Sequence, residues 1–253
     1  MEIKYRPKIS VVSYLNSKPF IYGFKKSEFN LQADISLDIP SVCADKLISG
    51  IADIGLIPVA ILPQLKKYSI ISNYCIGADG PVDSVLLLSN VPLKEIKSIY
   101  LDYQSRTSVM LTKVLCKNFW TIQPIFLESS VDYEKHIEGT TAGVVIGDRA
   151  LSLKGNFNYC YDLSEEWKKM TNLPFVFATW TSVIDLEESF IILFNRSIET
   201  GMKMIDEISE KEATAELSIE KIKYYLSYSI DYSFNEDKKK AMKLFLEMCK
   251  DFN

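Results

Sequence analysis

The sequence predicts an α/β fold of two lobes with a helical C-terminal segment. Three observations carry that expectation. Short apolar strands alternate with helical stretches through the first 181 residues. All nine prolines lie at or before Pro174 and nine of the ten glycines at or before Gly155, so 182–253, holding only Gly201, reads as helical. A chain of 253 residues, against about 150 per domain, has room for one to two domains.

The elements follow in order. Residues 8–13 form a strand with Ile9 and Val11 on one face, and 41–49 a helix capped by Ser41 and stopped by Gly50. Strands follow at 53–57, 70–76, 84–88 and 98–101, then a helix starting near Thr107. Further strands occupy 124–127, 142–146 and 175–180. In the tail, Ile219, Ile222 and Leu226 make one helical stripe, and Ala241, Leu244, Phe245 and Met248 another. Ser233 with Glu236 reads as a capping box for the last helix. Pro81 and Pro92 bracket one strand and Pro174 starts another, which marks two chain crossings. The expected organisation is 1–88 plus 181–253 in lobe I and 89–180 in lobe II. Such lobes enclose a ligand cleft that hinged closure can cover.

Composition narrows the function. Hydrophobic residues at 47% and charged residues at 25% are globular usage, which excludes disorder, collagen and coiled-coil rods. A net charge of −4 provides no basic field for nucleic acid, and the apolar runs are too short to span a membrane. His136, the single histidine, excludes His-rich metal sites and reactions needing two imidazoles. The five cysteines form no Cys-x-x-Cys pair, and no apolar signal region opens the chain, so the reading is a cytoplasmic protein. Cys75 and Cys160 sit among apolar and aromatic residues and read as inert core thiols.

Four segments at strand ends could carry chemistry, since ligands of open α/β sheets bind beyond the carboxyl ends of strands. Ser13-Tyr14-Leu15-Asn16-Ser17 is either a polar turn or a ligand loop in which Asn16 offers donors and an acceptor. In Asp102-Tyr103-Gln104-Ser105-Arg106-Thr107-Ser108, three hydroxyls and one of the four arginines gather at a helix start, either an anion site or a capped helix. In Gly147-Asp148-Arg149 the glycine permits close backbone approach, and the two charged residues either serve a site or pair on the surface. Ser84, after the Asp79-Gly80-Pro81 turn, could point into a cleft.

Together these segments resemble the futalosine-route menaquinone biosynthesis family, and within it the chorismate dehydratases. The matching stretches are VSYLNSKPFIYG (12–23), ADIGLIPVA (52–60), ADGPVDSVLLLS (78–89), LDYQSRTSVMLTKVL (101–115), VVIGDRAL (144–151) and YDLSEEWKKMTNLPFVFATW (161–180). Tyr224-Tyr225-Leu226 is a looser likeness. The chain departs from the family at Ser17, often a threonine, and at Asp83, often a basic residue; Asp83 puts a charge contact from that position in doubt. The resemblance implies a two-lobed fold like the type II periplasmic binding proteins. It also implies dehydration of chorismate to 3-[(1-carboxyvinyl)oxy]benzoate without a cofactor. By position, the catalytic residues would be Asn16 and Ser84. The substrate-binding residues would be Ser105, Arg106, Thr107, Ser108, Gly147, Asp148 and Arg149, with no metal ligand. No residue stands out as the base, which leaves the substrate's own enolpyruvyl carboxylate for that role, with Asp148 as the rival. The alternatives are the sister lyase acting on cyclic dehypoxanthine futalosine and a non-catalytic solute-binding protein. The sister lyase would need a histidine near Ile146 and Gly147, where this chain has none.

Overall fold

A computed structural model describes residues 5–252. In chain order the elements are β1 (Lys8–Val12), α1 (Lys18–Lys26), β2 (Asp34–Asp38), α2 (Pro40–Ile48), β3 (Ile54–Pro58), β4 (Ser69–Ala78) and β5 (Val85–Ser89). Then come β6 (Ser98–Leu101), α3 (Thr107–Leu115), β7 (Ile125–Glu128), β8 (Thr141–Ile146), α4 (Asp148–Leu153), β9 (Tyr159–Asp162), α5 (Leu163–Thr171) and β10 (Phe175–Ser182). The tail supplies α6 (Glu188–Met202), α7 (Ile205–Glu212), α8 (Ile219–Tyr224) and α9 (Glu236–Cys249). No helix among the described residues is long and apolar enough to cross a membrane.

Two five-stranded sheets result, ordered β2-β1-β3-β10-β4 and β7-β6-β8-β5-β9. In each, parallel strands meet one antiparallel strand inserted by a crossing: β10 against β3 and β4, and β5 against β8 and β9. Both inserted strands are buried along their whole length, as strands covered on two faces must be.

This pairing moves both expected lobe borders. The strand 84–88 was assigned to lobe I, but β5 belongs to the second sheet, so the first crossing is 79–84. The strand 175–180 was assigned to lobe II, but β10 belongs to the first sheet, so the second crossing precedes Phe175. A uniformly apolar run carries no sign of which sheet it will join. Residues 1–4 and 253, also placed in lobe I, lie outside the described residues.

The core of the first lobe is aromatic. Trp180 of β10 meets Phe20, Phe24 and Phe194 edge-on at centroid distances of 5.4, 5.5 and 5.0 Å. Helices α1 and α6 cross so closely that a Cβ at Gly201 would lie 1.7 Å from the Pro19 carbonyl oxygen, which accounts for the tail's one glycine. Trp167 of α5, Phe175 of β10 and Phe245 of α9 form a second cluster, fastening the tail beside the second crossing.

Local signals shifted by a residue or two. Ser41 does not cap α2, whose cap is Ile39 with Pro40 in the first turn. Ser233 does not cap α9; Asn235 accepts from the Lys238 N–H at 3.0 Å. Cys160 is exposed on the edge strand β9, whereas Cys75 is buried as expected.

Candidate active site

The strand ends of both sheets face each other across one cleft. Asn16 reaches it from the single turn after β1, Ser84 from the first crossing, Ser105, Thr107 and Ser108 from the start of α3, and Gly147 from the end of β8. Tyr14, Val82, Ile146 and Phe177 supply apolar wall. The free volume is about 60 Å³, well under the roughly 300 Å³ at which small-molecule pockets begin. No ionised side chain lines the cleft among the described residues.

Each group is held. Ser105 Oγ accepts from the Ser108 N–H at 3.0 Å and so caps α3. Thr107 Oγ1 donates to the Phe177 carbonyl at 3.0 Å and accepts from the Ala60 N–H at 3.3 Å, tying the lobes together. Ser108 is buried against the cleft at the positive end of α3. Ser17 donates to Asn16 Oδ1 at 3.1 Å, and Tyr232 donates to the Asn16 carbonyl at 2.9 Å. Tyr225, from the tail, donates its hydroxyl proton to Ser84 Oγ at 2.8 Å. Gly147 has φ +65°, donates its N–H to the Ser84 carbonyl at 2.8 Å, and lies against the Tyr14 ring.

Three of the nine expected residues do not line the cleft. Arg106 turns outward to Asp45 of α2. Arg149 does not pair with Asp148; it binds Asp102 at 2.7 Å and also Glu134, over the rings of Tyr103 and Tyr133. Asp102 explains the attraction. Its side chain is fully buried, and burial pushes its carboxyl up, while Arg149 and N–H donors pull it back. Asp148 accepts from the Leu15 N–H at 3.1 Å across the lobes; burial pushes its carboxyl up. Arg149 lies 47 residues from Asp102, and Leu15 lies 133 from Asp148, separations beyond any local pattern. Asp83, in the left-handed region at φ +65°, pairs with Lys154 and accepts from Ser229 at 3.0 Å, facing away from the cleft lining.

Sequence reasoning missed Tyr14 and Tyr225. Tyr14 sat inside a flagged segment, but nothing local shows its hydroxyl meeting Gln104 of the other lobe. Among the described residues no group of three or more His, Cys, Asp or Glu could hold a metal, and His136 is exposed.

Two facing α/β lobes, joined by two crossings around a cleft lined by no ionised side chain among the described residues, define a periplasmic-binding-protein-like fold of type II. Solved structures agree on that fold alone. A protein of Archaeoglobus fulgidus superposes with TM-score 0.78 at 16% identity, covering 99% of both chains. A Candida albicans protein described as having the generic periplasmic binding protein fold gives 0.62 at 10% identity over 98% of this chain and 90% of that one. The periplasmic nitrate-binding protein NrtA of Synechocystis PCC 6803 gives 0.64 at 10% identity over 98% and 81%. The sequence is more specific: the menaquinone biosynthesis family matches residues 7–251, and the chain belongs to that family. A chorismate dehydratase of Campylobacter jejuni subsp. jejuni serotype O:23/36 (strain 81-176) is 34% identical over 113 residues. The matched stretch spans 44% of this chain and half the length of that relative.

Proposed function

We propose that this protein is a cytoplasmic lyase that dehydrates chorismate to 3-[(1-carboxyvinyl)oxy]benzoate. The observation that carries the reading is the meeting of Asn16, Ser84 and the hydroxyls of α3 in one cleft without an ionised side chain. The chorismate dehydratase relative supports the substrate.

The chemistry matches that inventory. Removal of the C3 proton and departure of the C4 hydroxyl as water leave an aromatic ring, so the site needs positioning and charge stabilisation more than a strong base. The substrate's enolpyruvyl carboxylate takes the C3 proton. Asp148, the rival base, is committed to Leu15 and absent from the cleft lining, which favours the substrate carboxylate. The proton passes from that carboxylate to the departing C4 oxygen, which leaves as water; Ser84 hydrogen-bonds to this oxygen, and Asn16 orients the carboxylate. The ring carboxylate is met by the hydroxyls and positive end of α3. The cleft of about 60 Å³ must widen to admit a ten-carbon dianion, so the lobes part and reclose around 79–84 and 172–174.

The test incubates purified protein with chorismate and no added cofactor, following loss of water by mass and the rise of aromatic absorbance. Product formation, strongly slowed but measurable in Asn16→Ala and Ser84→Ala, is the expected result. Unchanged chorismate with folded protein would overturn the reading. Full turnover in both variants would overturn the assignment of roles.

A further inference from the structure

The tail does more than cover the first lobe. Beyond α8 the backbone widens into one π turn, Tyr225–Ser229, and this turn delivers a buried phenol behind Ser84. There the Tyr225 hydroxyl donates to Ser84 Oγ at 2.8 Å. Burial pushes this phenol up, with the side chains of Ser84 and Asn16 opposing that push. Beside it, Asn16 Oδ1 is engaged by Ser17 at 3.1 Å. With a lone pair of Ser84 occupied from behind, its own proton is free to donate forward into the cleft.

We propose that Tyr225 is a positioning residue: it fixes the Ser84 hydroxyl in one rotamer, with its proton directed into the cleft. This deepens the dehydratase reading and rests on it for its kinetic consequence. Tyr225 itself does not line the cleft and touches no reacting atom.

The test is Tyr225→Phe, which removes one oxygen and keeps the ring. Turnover number is expected to fall about tenfold to a hundredfold, with KM for chorismate changed less than about threefold. Because Tyr225 acts through Ser84, the double variant Y225F/S84A should be no slower than S84A alone. Losses that multiply would instead indicate a general structural role and overturn the inference, as would Y225F at parental turnover. A crystal structure of Y225F gives a second readout. Ser84 is expected to leave its parental rotamer or occupy two, and an unchanged single rotamer would overturn the inference. If the parent leaves chorismate unchanged, the dehydratase reading fails, and the rotamer comparison still decides the positioning.

Discussion

Replacing Gly147 with alanine isolates the backbone geometry on which the cleft depends. Gly147 has φ +65° and ψ −146°, a region that side-chain-bearing residues enter at a cost of about 1–3 kcal/mol. A Cβ there would lie 2.9 Å from two carbons of the Tyr14 ring. That ring cannot swing freely, because its hydroxyl is bound to Gln104 of the other lobe. Relieving such an overlap costs about 1–3 kcal/mol more. The sum, near 4 kcal/mol, corresponds to a melting point lower by about 8–16 °C for a chain of this size. The assay is thermal unfolding of the parent, G147A, Y14A and the double variant. Removing the ring removes the overlap but not the backbone strain, so the double variant should be more stable than additivity predicts by about 1–3 kcal/mol. A melting point for G147A within about 1 °C of the parent would refute the reasoning. Strict additivity would refute the part assigned to Tyr14.

Three further outcomes follow from the charged groups. Arg149→Ala should cost about 3–5 kcal/mol in urea unfolding, because it strips the cation from a fully buried Asp102. Arg106→Ala should change stability by less than about 1 kcal/mol and KM for chorismate by less than about threefold, since its ion pair with Asp45 is solvent-exposed and outside the cleft. Asp162 accepts four N–H groups, from Val82, Asp83, Ser164 and Glu165, yet burial pushes its carboxyl up to about 6. The folded state then keeps a proton that the unfolded chain releases near pH 4. This carboxyl's stabilising protonated form is lost as pH rises through about 6, at a cost of up to about 3 kcal/mol. In Asp162→Asn that slope should vanish, so its urea midpoint relative to the parent's should rise between about pH 4.5 and pH 7.5; a constant difference would contradict the assignment.

The alternation of strand and helix, the strand-end loops at Asn16, Ser105 and Gly147, and the proline-free helical tail were legible in the sequence. Each is a local property: side-chain period, turn chemistry and the φ/ψ limits of single residues act within a few positions. Even the family likeness rests on such loops in their order along the chain. Sheet membership was decided only by the tertiary structure, since β5 and β10 are buried on both faces and no solvent-facing alternation marks which sheet covers them. The arginines were decided there too. Arg106 and Arg149 had the right chemistry for an anion, but Asp45 and buried Asp102, distant in sequence, meet them first. Tyr225 illustrates the same limit, for it reaches Ser84 across 141 residues. A hydrogen bond of that span comes into being when packing has removed water from both partners, and packing is a property of the folded chain.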